Sequence, residues 1–292
     1  MLPDRLRFGM MRRMRRALVL GGGGITGIAW EWGILTGLVR AGVDVREADL
    51  VVGTSAGSVV GAQVAAGLDI EERYKTQLEP PDAEVGATLG AGQLARYLFA
   101  VFAGSRAPLK VRRRIGRLAL RARTVPEERR IAVIESRMPV RDWPARDLTL
   151  TAVDAETGEY RGFDRSSGVP LVHAVAASCA VPGVWPPVTI DGRRYMDGGV
   201  RSGTNADLAA GYDRVLVLAP LPRGAGPIPG VHTQVEALRP RSRVALITPD
   251  RTALAAFGRN VLDPTRREPA ARAGLAQSAA ILDEARRLWS EP

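Results

Sequence analysis

An α/β fold, a mostly parallel sheet with helices packed over it, is predicted for this 292-residue chain by three features of its sequence. Apolar runs of strand length alternate with helix-length amphipathic segments near the start, a glycine-rich loop joins the first such pair, and a Gly-x-Ser-x-Gly turn joins the second. Arg16 to Leu20 forms a buried strand. Gly27 to Ala41 follows as a helix, because Ile28, Trp32, Leu35 and Leu38 recur at helical spacing. Leu50 to Val52 is the next strand and Ser58 to Ala66 the next helix. This β-loop-α-β-elbow-α order needs parallel strands joined by helical crossovers.

From Glu71 to about Arg130 the texture changes to two apolar stretches and an arginine cluster without clear strands, the pattern of a mostly helical insertion. Strand patterns return at Ile131 to Ile134, Leu148 to Val153 and Tyr160 to Phe163, the last two joined by a turn ending at Gly158. Val188 to Ile190 and Arg194 to Met196 flank Asp191-Gly192, a tight hairpin signal. Strands follow at Arg214 to Leu218 and Val244 to Ile247, and Ala270 to Trp289 closes the chain as a helix. Pro220 to Gly230 reads as a long loop. Without a clean linker, the expected organisation is a basic N-terminal extension over residues 1–15 and one domain over 16–292, carrying the helical insertion at about 71–130.

Composition narrows the function. The single cysteine, Cys179, excludes an intramolecular disulfide and fits a reducing compartment, and its apolar neighbours mark it as a buried hydrophobe. With only His173 and His232 besides, no ligand spacing for a metal exists and no cofactor is expected. The net charge of +10 suits an anionic partner, but Lys75 and Lys110 are the only lysines, so the arginine excess reads as codon bias. Aromatic content of 5% and a basic cluster free of interleaved aromatics argue against nucleic acid. Met1 to Arg16 leads into a short apolar run that dissolves into four glycines, so it is read as a ragged start rather than a signal peptide. The uncharged segment Ser166 to Ile190 is broken by four prolines and cannot be one spanning helix. A cytoplasmic location is the resulting expectation.

Three constellations carry chemistry. Ser55, in Gly53-Thr54-Ser55-Ala56-Gly57, sits where a strand turns sharply into a helix, which lifts its hydroxyl clear of the sheet. The helix N-terminus beginning at Ala56 faces the same spot, where an oxyanion would form. The same residues also suit a serine that merely caps the helix. Gly21 to Gly24, followed by Ile25-Thr26-Gly27, presents backbone N–H groups at a helix start, an anion cradle. Gly22, Gly24 and Gly27 also satisfy the dinucleotide fingerprint, but the second strand ends in Gly53-Thr54-Ser55 instead of the acid that would bind ribose. Asp197-Gly198-Gly199, after a hairpin strand, holds a carboxylate on a turn. Turn chemistry alone explains such a triplet equally well.

Together these blocks make the chain resemble the patatin-like phospholipases, whose glycine-rich oxyanion loop, Gly-x-Ser-x-Gly elbow and Asp-Gly-Gly/Ala turn occur here in the family's order. Ala176 to Pro187 looks like the family's segment leading into the aspartate, and the likeness covers Arg16 to about Leu218. The resemblance implies a three-layer α/β/α fold and a serine acyl hydrolase of lipid esters. It also implies Ser55 as nucleophile, Asp197 as its partner in a dyad without histidine, and Gly22, Gly23 and Gly24, with Ala56, as oxyanion donors. Thr26 departs from the pattern, since many members carry Arg or Lys there. Asn205 and Asp207 are expected to brace the Asp197 turn. A conventional triad would instead recruit His232, which follows Asp197 but is expected in a surface loop, and His173 is expected to pack in a helix. A catalytically silent lipid-binding protein and a dinucleotide-binding protein are the alternatives. Within the insertion, Leu94, Tyr97, Leu98, Val101 and Phe102 fall on one helix side and precede Lys110, Arg112, Arg113, Arg114, Arg117, Arg121 and Arg123. That juxtaposition is expected either to cover the core or to act as a lid touching an anionic membrane.

Overall fold

The computed structural model describes residues 13–80, 91–104 and 106–289. Most of the predicted N-terminal extension, and residues 81–90 and 105 of the predicted insertion, lie outside them. In chain order the elements are β1 (Arg16–Leu20), α1 (Gly24–Arg40), β2 (Leu50–Gly53), α2 (Ala56–Ala65), α3 (Ile70–Leu78), α4 (Ala91–Phe102), α5 (Pro108–Arg121) and α6 (Glu127–Ser136). Then follow β3 (Asp147–Asp154), β4 (Tyr160–Phe163), α7 (Leu171–Ser178), β5 (Val188–Ile190), β6 (Arg193–Asp197), β7 (Arg214–Leu218), α8 (Val231–Leu238), β8 (Arg243–Ile247), α9 (Arg251–Phe257) and α10 (Arg267–Trp289).

The sheet has eight strands, with hydrogen-bonded neighbours in the order β5-β6-β3-β2-β1-β7-β8 and β4 also on β3. β8, β7, β1, β2 and β3 are mutually parallel. Leu150 pairs with both Gly53 of β2 and Phe163 of β4, while Ala152 pairs with both Arg161 of β4 and Asp197 of β6. A residue has only two edges, so β2 and β6 follow one another along the same edge of β3. The register thereby brings Asp197, the last residue of β6, to the carboxyl end of β2, where the Ser55 turn begins.

Alternation along the parallel strands builds the two outer layers. Leu18 and Leu20 of β1 join a core with Trp30 and Leu35 of α1 and Trp289 of α10, whereas Ala17 and Val19 pack with Val215 and Val217 and with Val231 and Val235 of α8. The fold is therefore α/β/α with a mostly parallel central sheet. A third cluster fixes the insertion: Val101 of α4 and Val111 and Ile115 of α5 bury themselves against Val153, Met196 and Val200, at the strand and turn that carry Asp197.

Some local readings need correction. Ile131 to Ile134 is not a strand but the middle of α6, whose start is marked by Pro126 and by Glu127 and Glu128 in the first turn. Burial there falls on Arg130 and Ile134, four residues apart, instead of alternating. The β-branched run misleads because propensity yields to packing. His232 lies on the exposed side of α8, not in a loop. Of the apolar α4 residues, Val101 is 1% exposed and faces the core, whereas Leu98 and Phe102, with the neighbouring Phe99, face outward. α1 also begins a turn earlier than predicted, because the glycine loop itself supplies its first turn.

Candidate active site

Ser55 stands between β2 and α2 with φ 52° and ψ −116°, a strained conformation for a residue with a side chain. The turn is tight enough that a Cβ on Gly57 would lie 2.1 Å from the Leu20 carbonyl oxygen, and one on Gly53 would lie 2.7 Å from the Gly57 carbonyl oxygen. Only glycine fits at either flank. The strained backbone is held by its own hydrogen bonds: the Ser55 N–H donates to Ser178 Oγ at 3.0 Å, and its carbonyl accepts from Ser58 Oγ at 2.6 Å and Cys179 Sγ at 3.2 Å.

The Ser55 hydroxyl and the Asp197 carboxyl group line the same cavity, and the hydroxyl is close enough to lower the proton affinity of the carboxyl group. Asp197 is 5% exposed, and its Oδ1 also accepts the Gly199 N–H at 2.7 Å. Burial pushes this carboxyl group up to about 6, against the lowering effect of the Ser55 hydroxyl, the Gly199 N–H and the positive charge of Arg130. Elbow and aspartate turn are tied by a buried polar cluster. Asn205, in a left-handed conformation at φ 51°, donates through Nδ2 to Thr54 Oγ1 at 3.0 Å, Gly198 O at 3.3 Å and Ser202 O at 2.9 Å. Thr151 Oγ1 donates to Thr54 Oγ1 at 2.9 Å from the facing strand. Asp207 does not reach the turn. It pairs with Arg201 and accepts from Gln234 Nε2 at 2.7 Å.

The glycine loop lies alongside. The Gly22 N–H donates to Gly203 O at 2.8 Å, while the N–H groups of Gly23, Gly24 and Ala56 meet no acceptor among the described residues. All four residues line one cavity of about 360 Å³ with Ser55 and Asp197. Thr26 is buried and turns its hydroxyl back toward the Gly23 carbonyl oxygen at 3.4 Å, so no cation extends from that position. Apolar walls come from Ile25 and Ile28 of α1, Val59 of α2, and Val261 and Leu262, and Tyr97 of α4 projects from the insertion. Burial pushes the Tyr97 phenol up to about 12.

A patatin-like phospholipase family model matches residues 18–210, which contain the glycine loop, the Ser55 elbow and the Asp197 turn. The chain belongs to the patatin-like phospholipase family. Among patatin-like relatives, an uncharacterized NTE family protein of Mycobacterium tuberculosis, Rv1063c, is 29% identical over 223 residues, spanning 70% of this chain and 51% of its own length. Its counterpart in Mycobacterium bovis, Mb1092c, matches equally. The chain thus spans about half the length of the curated relatives it matches. Among solved structures, VipD from Legionella pneumophila is similar at a TM-score of 0.47 and 13% identity over 93% of this chain and 67% of its own. The type III effector ExoU of Pseudomonas aeruginosa is similar at a TM-score of 0.41 and 16% identity, over 93% and 53%.

Neither histidine of this patatin-like chain lines the cavity. His173 is half-buried on α7, as expected of a packed helix residue, and its Nδ1 finds no partner among the described residues. No group of three or more metal-ligating side chains occurs among the described residues, and no helix among them is long and apolar enough to cross a membrane. Arg130, Arg137 and Trp185 line the cavity without having been singled out for the site from the sequence. A signal for the first two existed: Arg130, Ile134 and Arg137 are spaced i, i+4, i+7, one face of a helix, once Pro126-Glu127-Glu128 is taken as a helix start.

Proposed function

We propose that the protein is a serine acyl hydrolase cleaving carboxylic esters of lipids through a Ser55–Asp197 dyad. The observation that carries the proposal is that Ser55, on a strained strand-to-helix turn, and a buried Asp197 line one largely apolar cavity together with backbone N–H groups that meet no acceptor among the described residues. A carboxylate at its ordinary value near 4 is a weak base for a hydroxyl, and burial raises Asp197 toward the working range of a general base.

In the proposed cycle Ser55 Oγ attacks the ester carbonyl carbon as its proton passes to Asp197. The negative charge that develops on the carbonyl oxygen is met by the N–H groups of Gly23, Gly24 and Ala56, each such donor being worth about 100- to 1,000-fold in rate. Gly22, its N–H spent on Gly203, shapes the loop instead. Collapse of the tetrahedral intermediate breaks the ester C–O bond, and the departing alcohol oxygen takes the proton from Asp197. Water then attacks the acyl-Ser55 ester, its proton again going to Asp197, and the second collapse releases the fatty acid and restores the Ser55 hydroxyl.

The insertion, α4 to α6, serves in this reading as a roof and lipid-facing edge. Phe99 at 72% exposure and Phe102 at 56%, beside Tyr97 at the cavity and ahead of the arginines of α5, favour contact with an anionic lipid surface. Labelling with a fluorophosphonate probe tests the proposal: the adduct is expected on Ser55 and absent from Ser55→Ala. Ester turnover by Ser55→Ala or Asp197→Ala at the wild-type rate would overturn it.

A further inference from the structure

The cavity has two apolar walls, and they belong to different parts of the fold. Val200 is buried in the cluster that carries the Asp197 turn, and Tyr97, Ala225 and Ile228 pack against that cluster. The other wall is built from Ile25 and Ile28 of α1, Val59 of α2, and Val261 and Leu262. Of these, Val59 is buried in the larger core between α1 and the sheet, and Ile28 packs against it. Val261 and Leu262 stand between α9 and α10, well beyond residue 210, where the match to the family model ends.

That late segment is fastened to the glycine loop. The Thr26 N–H donates to Val261 O at 3.1 Å, and the Leu262 N–H donates to Asn260 Oδ1 at 3.1 Å. A Cβ on Gly24 would lie 2.6 Å from Val261 O and 2.9 Å from Leu262 Cδ2. Leu262 therefore rests directly on a residue whose N–H meets no acceptor among the described residues, and its side chain, half-buried, still presents apolar surface to the cavity. The order of the proposed cycle decides what meets that surface. The oxygen that becomes negative is met by Gly23, Gly24 and Ala56, while the departing alcohol oxygen must come within reach of Asp197 to recover a proton. The alcohol thus leaves on the side of Tyr97, Val200 and Ile228, and the acyl chain takes the wall away from Asp197, at Ile28, Val59 and Leu262. A hydrocarbon chain gains from burial along its whole length, and that wall offers it no charge.

The geometry points to Leu262 as the residue that sets the length of the acyl chain, so that a segment outside the family-matched stretch determines which esters are cleaved. This rests on the acyl-hydrolase reading above. Leu262 acts as the stop of the acyl pocket: shortening its side chain makes room for further methylenes, and enlarging it takes room away.

The test measures kcat/KM for p-nitrophenyl esters of straight-chain acids of increasing length, which share one leaving group, at pH 8, where Asp197 is ionised. Each methylene that finds a place in an apolar pocket is worth about 4-fold. In Leu262→Ala the ratio of kcat/KM for the ester two carbons beyond the wild-type optimum to that at the optimum is therefore expected to rise about 10-fold. Leu262→Trp should move the optimum at least about two carbons the other way. An unmoved optimum in both variants, folded and with hydrolysis abolished by Ser55→Ala, would overturn the assignment of Leu262 and leave the hydrolase reading standing. Survival of hydrolysis in Ser55→Ala would instead remove that reading. A second series holds the acid constant and lengthens a straight-chain alcohol: Ile228→Ala is expected to change this preference and Leu262→Ala to leave its order as in the wild type. The reverse result would put the alcohol against Leu262 and overturn the proposal. Should Leu262→Ala fail to fold, Leu262→Val, one methylene smaller, reads the same acyl series, with a rise of about 4-fold expected for one added carbon and no rise refuting the stop.

Discussion

Replacing Asp197 with Asn should stabilise the protein at alkaline pH while destroying its activity. Burial lifts the Asp197 carboxyl group from 3.8 to about 6. A group that holds its proton more tightly when folded contributes stability that is complete below its unfolded value, near 4, and is lost as pH rises through about 6. At about 1.4 kcal/mol per pH unit, the ionised Asp197 costs the folded wild type about 3 kcal/mol at pH 8. Asn mimics the protonated acid: its Oδ1 still accepts the Gly199 N–H, now made to Asp197 at 2.7 Å. Whatever constant offset the amide introduces, the difference in unfolding free energy between variant and wild type should grow in favour of Asn by about 2 kcal/mol between pH 4.5 and pH 8. Urea unfolding at the two pH values reads this difference directly. A difference that does not change with pH would show that Asp197 is not desolvated in the folded protein. The argument for its role as a base would then lose its physical footing.

Further consequences follow from the same geometry. For turnover, kcat/KM should rise with pH along a single acid limb near pH 6, as Asp197 ionises, and a limb below pH 4.5 would contradict its burial. Ser55→Ala and Ser55→Gly should both be inactive, yet the glycine variant should be more stable by about 1 kcal/mol, because φ 52° with ψ −116° is comfortable only without a side chain; equal urea midpoints would refute the strain. Gly57→Ala should lose at least about 3 kcal/mol or fail to accumulate as soluble protein, since its Cβ would sit 2.1 Å from a carbonyl oxygen, whereas Gly92→Ala, with open space around it, should melt at or above the wild-type temperature. Asn205→Ala removes the shared donor of Thr54 and Gly198 and should cost about 2 kcal/mol of stability together with a drop in kcat; an unchanged kcat would separate this network from the dyad.

Much of the site was legible because its chemistry is local. A strand-to-helix elbow needs small residues within two positions of the serine, and a backbone anion cradle needs consecutive glycines at a helix start, so each leaves its mark in a few adjacent letters. The parallel strands were equally plain, as strands buried on both faces are written in continuous apolar runs such as Ala17-Leu18-Val19-Leu20. What brings Asp197 to Ser55 was not legible. It depends on β2 (Leu50–Gly53) and β6 (Arg193–Asp197), far apart in the chain, sharing one edge of β3, a matter of register and not of local sequence. Gly22 shows the same limit at shorter range: four glycines announce a donor loop, but only the approach of Gly203 decides which N–H is already spent.

Arg130 was the least legible of all, and the reason bears on how the cavity works. In the sequence it stands at the seam between an arginine-rich insertion and a β-branched run, where one more arginine carries no information. Its distinction arises only when α6 forms, because the helix buries Arg130 and Ile134 on one inward face. The exposed arginines of α5 are free to exchange water for a lipid surface, at a cost small enough that salt would screen it. Arg130 has no such freedom, so its charge is met inside the cavity, by the face of Trp185 and by the distant pull of Asp197. That charge also draws Asp197 downward, toward ionisation. Removing that charge should let the Asp197 carboxyl group rise further. The acid limb of kcat/KM should therefore lie at higher pH in Arg130→Gln than in the wild type, and coincident limbs would show that the two groups do not feel each other.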